Sequence, residues 1–130
     1  MCQAAVPGMQ AQGFGRVVAI TSITARQPIA NLILSNTARA GVTGFLKTLA
    51  REVAGDGVTV NSVQPGSHAT DRLLTVYGDA FDEQATRIPA RTFGRPEDFG
   101  RVVAFLCSDH AAFITGAAIP IDGGEYAGLQ

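Results

Sequence analysis

Tryptophan is missing from this 130-residue chain, and cysteine occurs only twice, at Cys2 and Cys107. Two thiols make no disulfide framework, and the expected setting is a reduced, cytoplasmic one. Neither sign of charge is in excess: ten basic and eleven acidic residues leave a formal charge of −1. The basic stripe of a nucleic-acid binder is therefore absent, and so is a polybasic membrane anchor. No apolar run approaches the roughly 20 residues that span a bilayer. Residues Met1 to Gln10 show neither the basic nor the apolar region of a signal peptide, and none is expected. What remains is a globular composition, 46% hydrophobic and 16% charged, of a length that suits one domain.

The organised part of the chain begins as a strand–helix–strand unit. Arg16 to Thr21 is a β-branched run that reads as a strand buried on both faces. After a loop punctuated by Pro28, a helix is predicted over residues 29–53. Leu34, Ala38, Val42, Phe45, Leu49 and Val53 form its apolar stripe, and Arg39, Thr43, Lys47 and Arg51 its polar face. Gly55-Asp56-Gly57 stops the helix, and Val58 to Val63 is the next strand, closed by Pro65-Gly66. Short connections make the two strands parallel. Ser22 and the segment Pro65 to Thr70 then lie at the carboxyl ends of the strands, where open α/β sheets bind ligands. The helix starts at that same edge and brings Ser35 and Arg39 to it, one turn apart. Beyond, residues 71–89 suit one or two short helices. Pro96 to Ser108 is a clear helix with Pro96 at its start and Glu97 and Asp98 in its first turn. Gly116 to Ile121 is a last strand. Ala4 to Gln12 reads as the tail of a helix leading into the first strand.

In this order and spacing the pieces resemble the short-chain dehydrogenase/reductase family. Val17-Val18-Ala19-Ile20-Thr21-Ser22 resembles its fifth strand and catalytic serine. Asn61-Ser62-Val63-Gln64-Pro65-Gly66 resembles its sixth strand and Pro-Gly turn. Gly94-Arg95-Pro96-Glu97-Asp98, and Ile114-Thr115-Gly116 through Asp122-Gly123-Gly124, resemble its C-terminal helix and last strand. The resemblance implies an α/β fold: part of a Rossmann-like, doubly wound parallel sheet, comprising the last three strands and their helices. It implies hydride transfer between NAD or NADP and a small carbonyl or alcohol, in the manner of 3-oxoacyl-carrier-protein reductases. Ser22, Ser35 and Arg39 fall at the catalytic positions. Arg39, Pro65, Gly66 and Thr70 fall at cofactor-binding ones, Thr70 near the nicotinamide carboxamide. In the family the long helix packs against its copy in a neighbouring subunit, which implies a homo-oligomer formed through helix 29–53. Gly41 and Gly44 permit close approach there, either to that copy or to the helix's own sheet.

Two departures qualify the resemblance. It covers only the family's second half, so residues 1–130 are expected to be the C-terminal portion of a dinucleotide-binding domain, with the N-terminal phosphate-binding half absent. Gly13-Phe14-Gly15 precedes a strand and is a turn, not a phosphate cradle. The family also places a tyrosine and a lysine where this chain has Ser35 and Arg39. A phenol titrates near ~10, and a serine hydroxyl is a far weaker acid; arginine spreads its charge and reaches differently from lysine. The chain by itself is therefore expected to be inactive. Duller roles stay open beside these: Ser22 as a loop cap, Ser35 as an ordinary helix residue, Arg39 as a partner for a nearby acid. The alternative function is a non-catalytic remnant acting only as an oligomerisation module. His68 and His110 have no further ligands at metal spacing, so no metal site is expected. No Gly-x-Ser-x-Gly elbow supports a hydrolase. Without a further neighbour, the Arg16–Thr21 strand would present an aggregation-prone edge.

Overall fold

The computed structural model describes residues 1–129. Three parallel strands, β1 (Gly15–Ile20), β2 (Val58–Pro65) and β3 (Ala118–Ile121), lie side by side in that order. Gly15 pairs with Val58 and Ile20 with Val63, while Ser62 pairs with Ala118 and Pro65 with Ile121. Five helices surround them: α1 (Cys2–Gln12), α2 (Ile33–Val53), α3 (Asp71–Tyr77), α4 (Phe81–Ala85) and α5 (Pro96–Leu106). Successive side chains along a strand point to opposite faces. Val58 and Val60 accordingly pack with Val6, Leu46, Ala50 and Val53 from α1 and α2. Val63 points the other way, onto Leu106 and Ala111 in and after α5. Helices thus cover both faces of β2, the arrangement of a doubly wound α/β sheet.

Two devices set the order of the strands. Gly13 ends α1 and Gly57 precedes β2, both in the left-handed conformation. A Cβ on Gly57 would run into the Gly13 carbonyl, so the backbones meet there only because Gly57 carries no side chain. On the other side, buried Asn61 donates to the Ile114 carbonyl at 2.7 Å and accepts from the Ala117 N–H at 3.0 Å. Those two bonds lead the chain into β3.

Several expectations are corrected. The long helix begins at Ile33, not at residue 29. Asn31 adopts a φ of 65°, outside any right-handed helical path. The Asn36 side chain holds the preceding turn, donating to the Ile29 carbonyl at 2.9 Å. The buried face of α2 also differs from the apolar stripe. Leu46, Ala50 and Val53 are buried, whereas Leu34, Ala38, Val42 and Phe45 are exposed. Arg39 and Thr43, expected on the polar face, sit half-buried in line with Leu46. Small and long-stemmed residues suit a helix lying on a sheet, because an arginine buries its stem and extends its charged head. Gly41 and Gly44 have open space around them, so they do not bring α2 close to its own sheet. The strands end at Ile20 and Pro65 rather than Thr21 and Val63, the last strand begins at Ala118 rather than Gly116, and α5 stops at Leu106. Among the described residues, β1 pairs only with β2.

Candidate active site

β1 and β2 end side by side, with the Thr21 N–H donating to the Val63 carbonyl at 2.8 Å. Immediately after β1 the chain turns into a short 3-10 segment, Ile23–Ala25, capped by Ser22. The Ser22 hydroxyl oxygen accepts from the Thr24 N–H at 3.1 Å, which leaves its own O–H to donate elsewhere. The dull role and the functional one are therefore compatible: one oxygen both caps the turn and faces the cleft.

The first turns of α2 complete this wall. Arg39 donates from Nε to the Ser35 hydroxyl at 3.2 Å and from Nη1 to the Thr21 carbonyl at 2.6 Å. The second bond ties α2 to the end of β1 and holds the guanidinium rigidly. Its remaining N–H groups are free among the described residues. No carboxylate lies within ion-pair distance of it there, so the reading of Arg39 as a partner for a nearby acid is not met.

After β2, Pro65-Gly66 turns the chain across the sheet edge. The Gly66 N–H donates to the Ile121 carbonyl at 3.1 Å, and a Cβ on Gly66 would strike Asp122 and Glu125. This turn divides two clefts. The larger, about 550 Å³, is lined by Ser22, Ser35 and Arg39 together with Arg72 and Glu125. The smaller, about 280 Å³, has apolar walls that include Ile20, Leu73 and Phe99, with His68 and Thr70 at its rim. Pro65, Gly66 and Leu73 face both. Five of the six singled-out residues thus share one cleft, and Thr70 lines only the other. Its hydroxyl accepts from the Leu73 N–H at 3.4 Å, capping α3.

Sequence reasoning placed Ser67 and His68 at this edge only as part of the segment Pro65 to Thr70, and gave no role in the cleft to Arg72, Glu125 or Phe99. Glu125 is pinned by Ser67, whose N–H and O–H donate to its two carboxylate oxygens at 2.8 and 3.1 Å. These residues are far apart in the chain and meet only because β2 and β3 end together. Their one local signal was nearness to the Pro-Gly turn and to Asp122-Gly123-Gly124. His68 packs edge-on to Phe99, ring centroids 5.1 Å apart, and its Nδ1 lies 3.1 Å from the Gly66 carbonyl. Among the described residues no group of His, Cys, Asp or Glu could hold a metal ion, and no helix is long and apolar enough to cross a membrane.

A nicotinamide nucleotide fits this edge in part. The apolar smaller cleft suits a flat ring, and the free donors of Arg39 suit ribose hydroxyls. For the phosphates nothing comparable exists: among the described residues no glycine-rich turn joins the carboxyl end of a strand to a helix N-terminus.

Comparison with known proteins agrees with this geometry. A family model described as enoyl-(acyl carrier protein) reductase matches residues 1–125. An acetoacetyl-CoA reductase of Cupriavidus necator is 38% identical over 123 residues, covering 95% of this chain and 50% of that protein. A 3-oxoacyl-[acyl-carrier-protein] reductase of Vibrio harveyi is 37% identical over 126 residues, covering 97% and 52%. The crystal structure of L-sorbose reductase from Gluconobacter frateurii with NADPH and L-sorbose superposes with a TM-score of 0.90 at 31% identity, covering 98% of this chain and 53% of that one. The chain thus spans about half the length of the curated relatives it matches. A family match over residues 1–125, with relatives above 30% identity and solved structures that superpose on nearly the whole chain, shows that this chain belongs to the short-chain dehydrogenase/reductase family.

Proposed function

We propose that these 130 residues are the C-terminal portion of a short-chain, NAD(P)-dependent oxidoreductase acting on a small carbonyl or alcohol, and that alone they do not turn over. The observation that carries this reading is the Ser22 O–H, which has no acceptor among the described residues, in a cleft lined also by Arg39 and Pro65-Gly66. Ser22 donates to the substrate oxygen and orients it. Arg39 donates to ribose hydroxyls, and the Pro65-Gly66 turn with Thr70 lines the nicotinamide end. When bound, the nucleotide supplies or accepts the hydride. Ser35 stands where a proton donor is needed. Its hydroxyl is held by Arg39, but one cation does not bring an aliphatic alcohol into the working range of a general acid.

A chimera tests the reading: this chain joined to the N-terminal half of the acetoacetyl-CoA reductase of Cupriavidus necator, assayed with NADPH and acetoacetyl-CoA. The double substitution Ser35→Tyr, Arg39→Lys should raise turnover by about 10²–10⁴-fold, the usual contribution of a positioned acid. Ser22→Ala should remove most of that gain. A folded chimera that binds NADPH and stays inert with tyrosine and lysine in place would overturn the proposal.

A second reading rests on the outward face of α2, where Leu34 is 83% and Phe45 52% exposed. Such a stripe suits a self-complementary two-fold contact, and we propose that the chain forms a homo-oligomer through it, with or without catalysis. Light scattering should give a dimer or larger species, and Phe45→Glu should convert it to monomer. A monomeric unmodified chain at high concentration would refute this.

A further inference from the structure

The cations of the larger cleft lead beyond hydride transfer. Arg16, Arg87, Arg95 and Arg101 each have a carboxylate within ion-pair distance. Arg39 and Arg72, which face the same 550 Å³ cleft, have none among the described residues. The third charged group lining it is Glu125, and both its oxygens are engaged by Ser67. Two guanidiniums against one occupied carboxylate leave the cleft net positive. Arg39 is half-buried and held by two hydrogen bonds, so its free edge is presented without further ordering cost. Ile29, Leu32 and Leu73 supply an apolar wall. The volume lies within the range of small-molecule sites.

We propose that this cleft is a carboxylate-binding site. It takes a small organic acid with an aliphatic body, with its carboxylate on the free edge of Arg39 and within reach of Arg72's charge, and its chain against Leu32 and Leu73. A guanidinium and a carboxylate match in shape and charge, and Arg39 is half-buried, so its side of the pair is partly shielded from water. The acid takes the same free donors of Arg39 that the proposed function gives to ribose hydroxyls, so acid and nucleotide exclude one another there; on the 130-residue chain alone the site requires no nucleotide and no proton transfer.

The test is a titration of the ¹⁵N-labelled 130-residue chain with hexanoate, with neutral hexanamide and with inorganic pyrophosphate, following backbone amide shifts. Hexanoate should shift Ser22, Ser35 and Ser67 saturably and bind about tenfold or more tighter than hexanamide. Arg39→Met should weaken hexanoate by about tenfold or more, and Arg72→Gln by a few-fold, in chains whose spectra remain dispersed. If Arg39→Met unfolds the chain, the hexanoate–hexanamide ratio and Arg72→Gln decide. Equal binding of acid and amide, no binding of either, or indifference to Arg72 in that case would overturn the proposal. So would pyrophosphate binding at the same amides more tightly than hexanoate, which would assign the cations to a phosphate ligand.

Discussion

β1 and β2 are built from almost the same alphabet, Val-Val-Ala-Ile against Val-Thr-Val-Asn-Ser-Val, yet they live in different surroundings. β2 is buried from Val58 through Gln64, while β1 is half-exposed along most of its length and ends on Ile20, 63% exposed. The difference is one of neighbours. β2 has a strand on each side and helices above and below; among the described residues β1 has a strand on one side only. β-branched runs declare a strand but say nothing of its rank in the sheet.

The sharpest way to test this contrast is a matched pair. Val17 and Val60 are register partners on the same face of the sheet. Val60→Asp places an unpaired charge in a site with no exposure and should cost about 4 kcal/mol or more, leaving the chain unfolded in circular dichroism. Val17→Asp, at the half-exposed edge, should cost about half as much and still give a cooperative urea transition. Equal costs would mean that β1 is as enclosed as β2. Next in size is the junction that sets the two strands side by side. Gly57→Ala combines a left-handed backbone with a collision against Gly13, and should cost about 2 kcal/mol in chemical denaturation. The smallest effect on stability belongs to the edge itself. Ile20→Lys should change stability by no more than about 0.5 kcal/mol while lowering light scattering on concentration, because a charge blunts an open strand edge. Unchanged scattering would locate the aggregation-prone surface elsewhere, with the exposed face of α2 the next to test.

The two faces of α2 repeat the lesson. Periodicity along Leu34, Ala38, Val42, Phe45, Leu49 and Val53 correctly announces a helix and an apolar face, but only the C-terminal end of that face, at Leu49 and Val53, is covered. An apolar stripe seeks cover of some kind, and a partner surface serves as well as the chain's own sheet. The inward face is instead made of Arg39, Thr43, Leu46 and Ala50, whose mixed chemistry hides it from a hydrophobicity pattern. Ser22 and Pro65-Gly66 were readable because strand ends and Pro-Gly turns are local events. Glu125 was not, since it joins the cleft through its contact with Ser67, 58 residues away, and Arg72 lines a cleft whose other walls come from distant segments.

Alternating β-branched and helical segments, read in one dimension, were enough to establish the element order, the parallel strands and the edge at which a serine and a Pro-Gly bend meet. Those features follow from local propensity and short connections, which need no partner to express themselves. Tertiary packing alone decided that Arg39 turns inward to the Thr21 carbonyl, that Thr70 belongs to a different cleft from Ser22, and that Glu125 is spent on Ser67. Each of these depends on which groups are left to satisfy a buried donor or charge, and that is settled only when distant segments have come together.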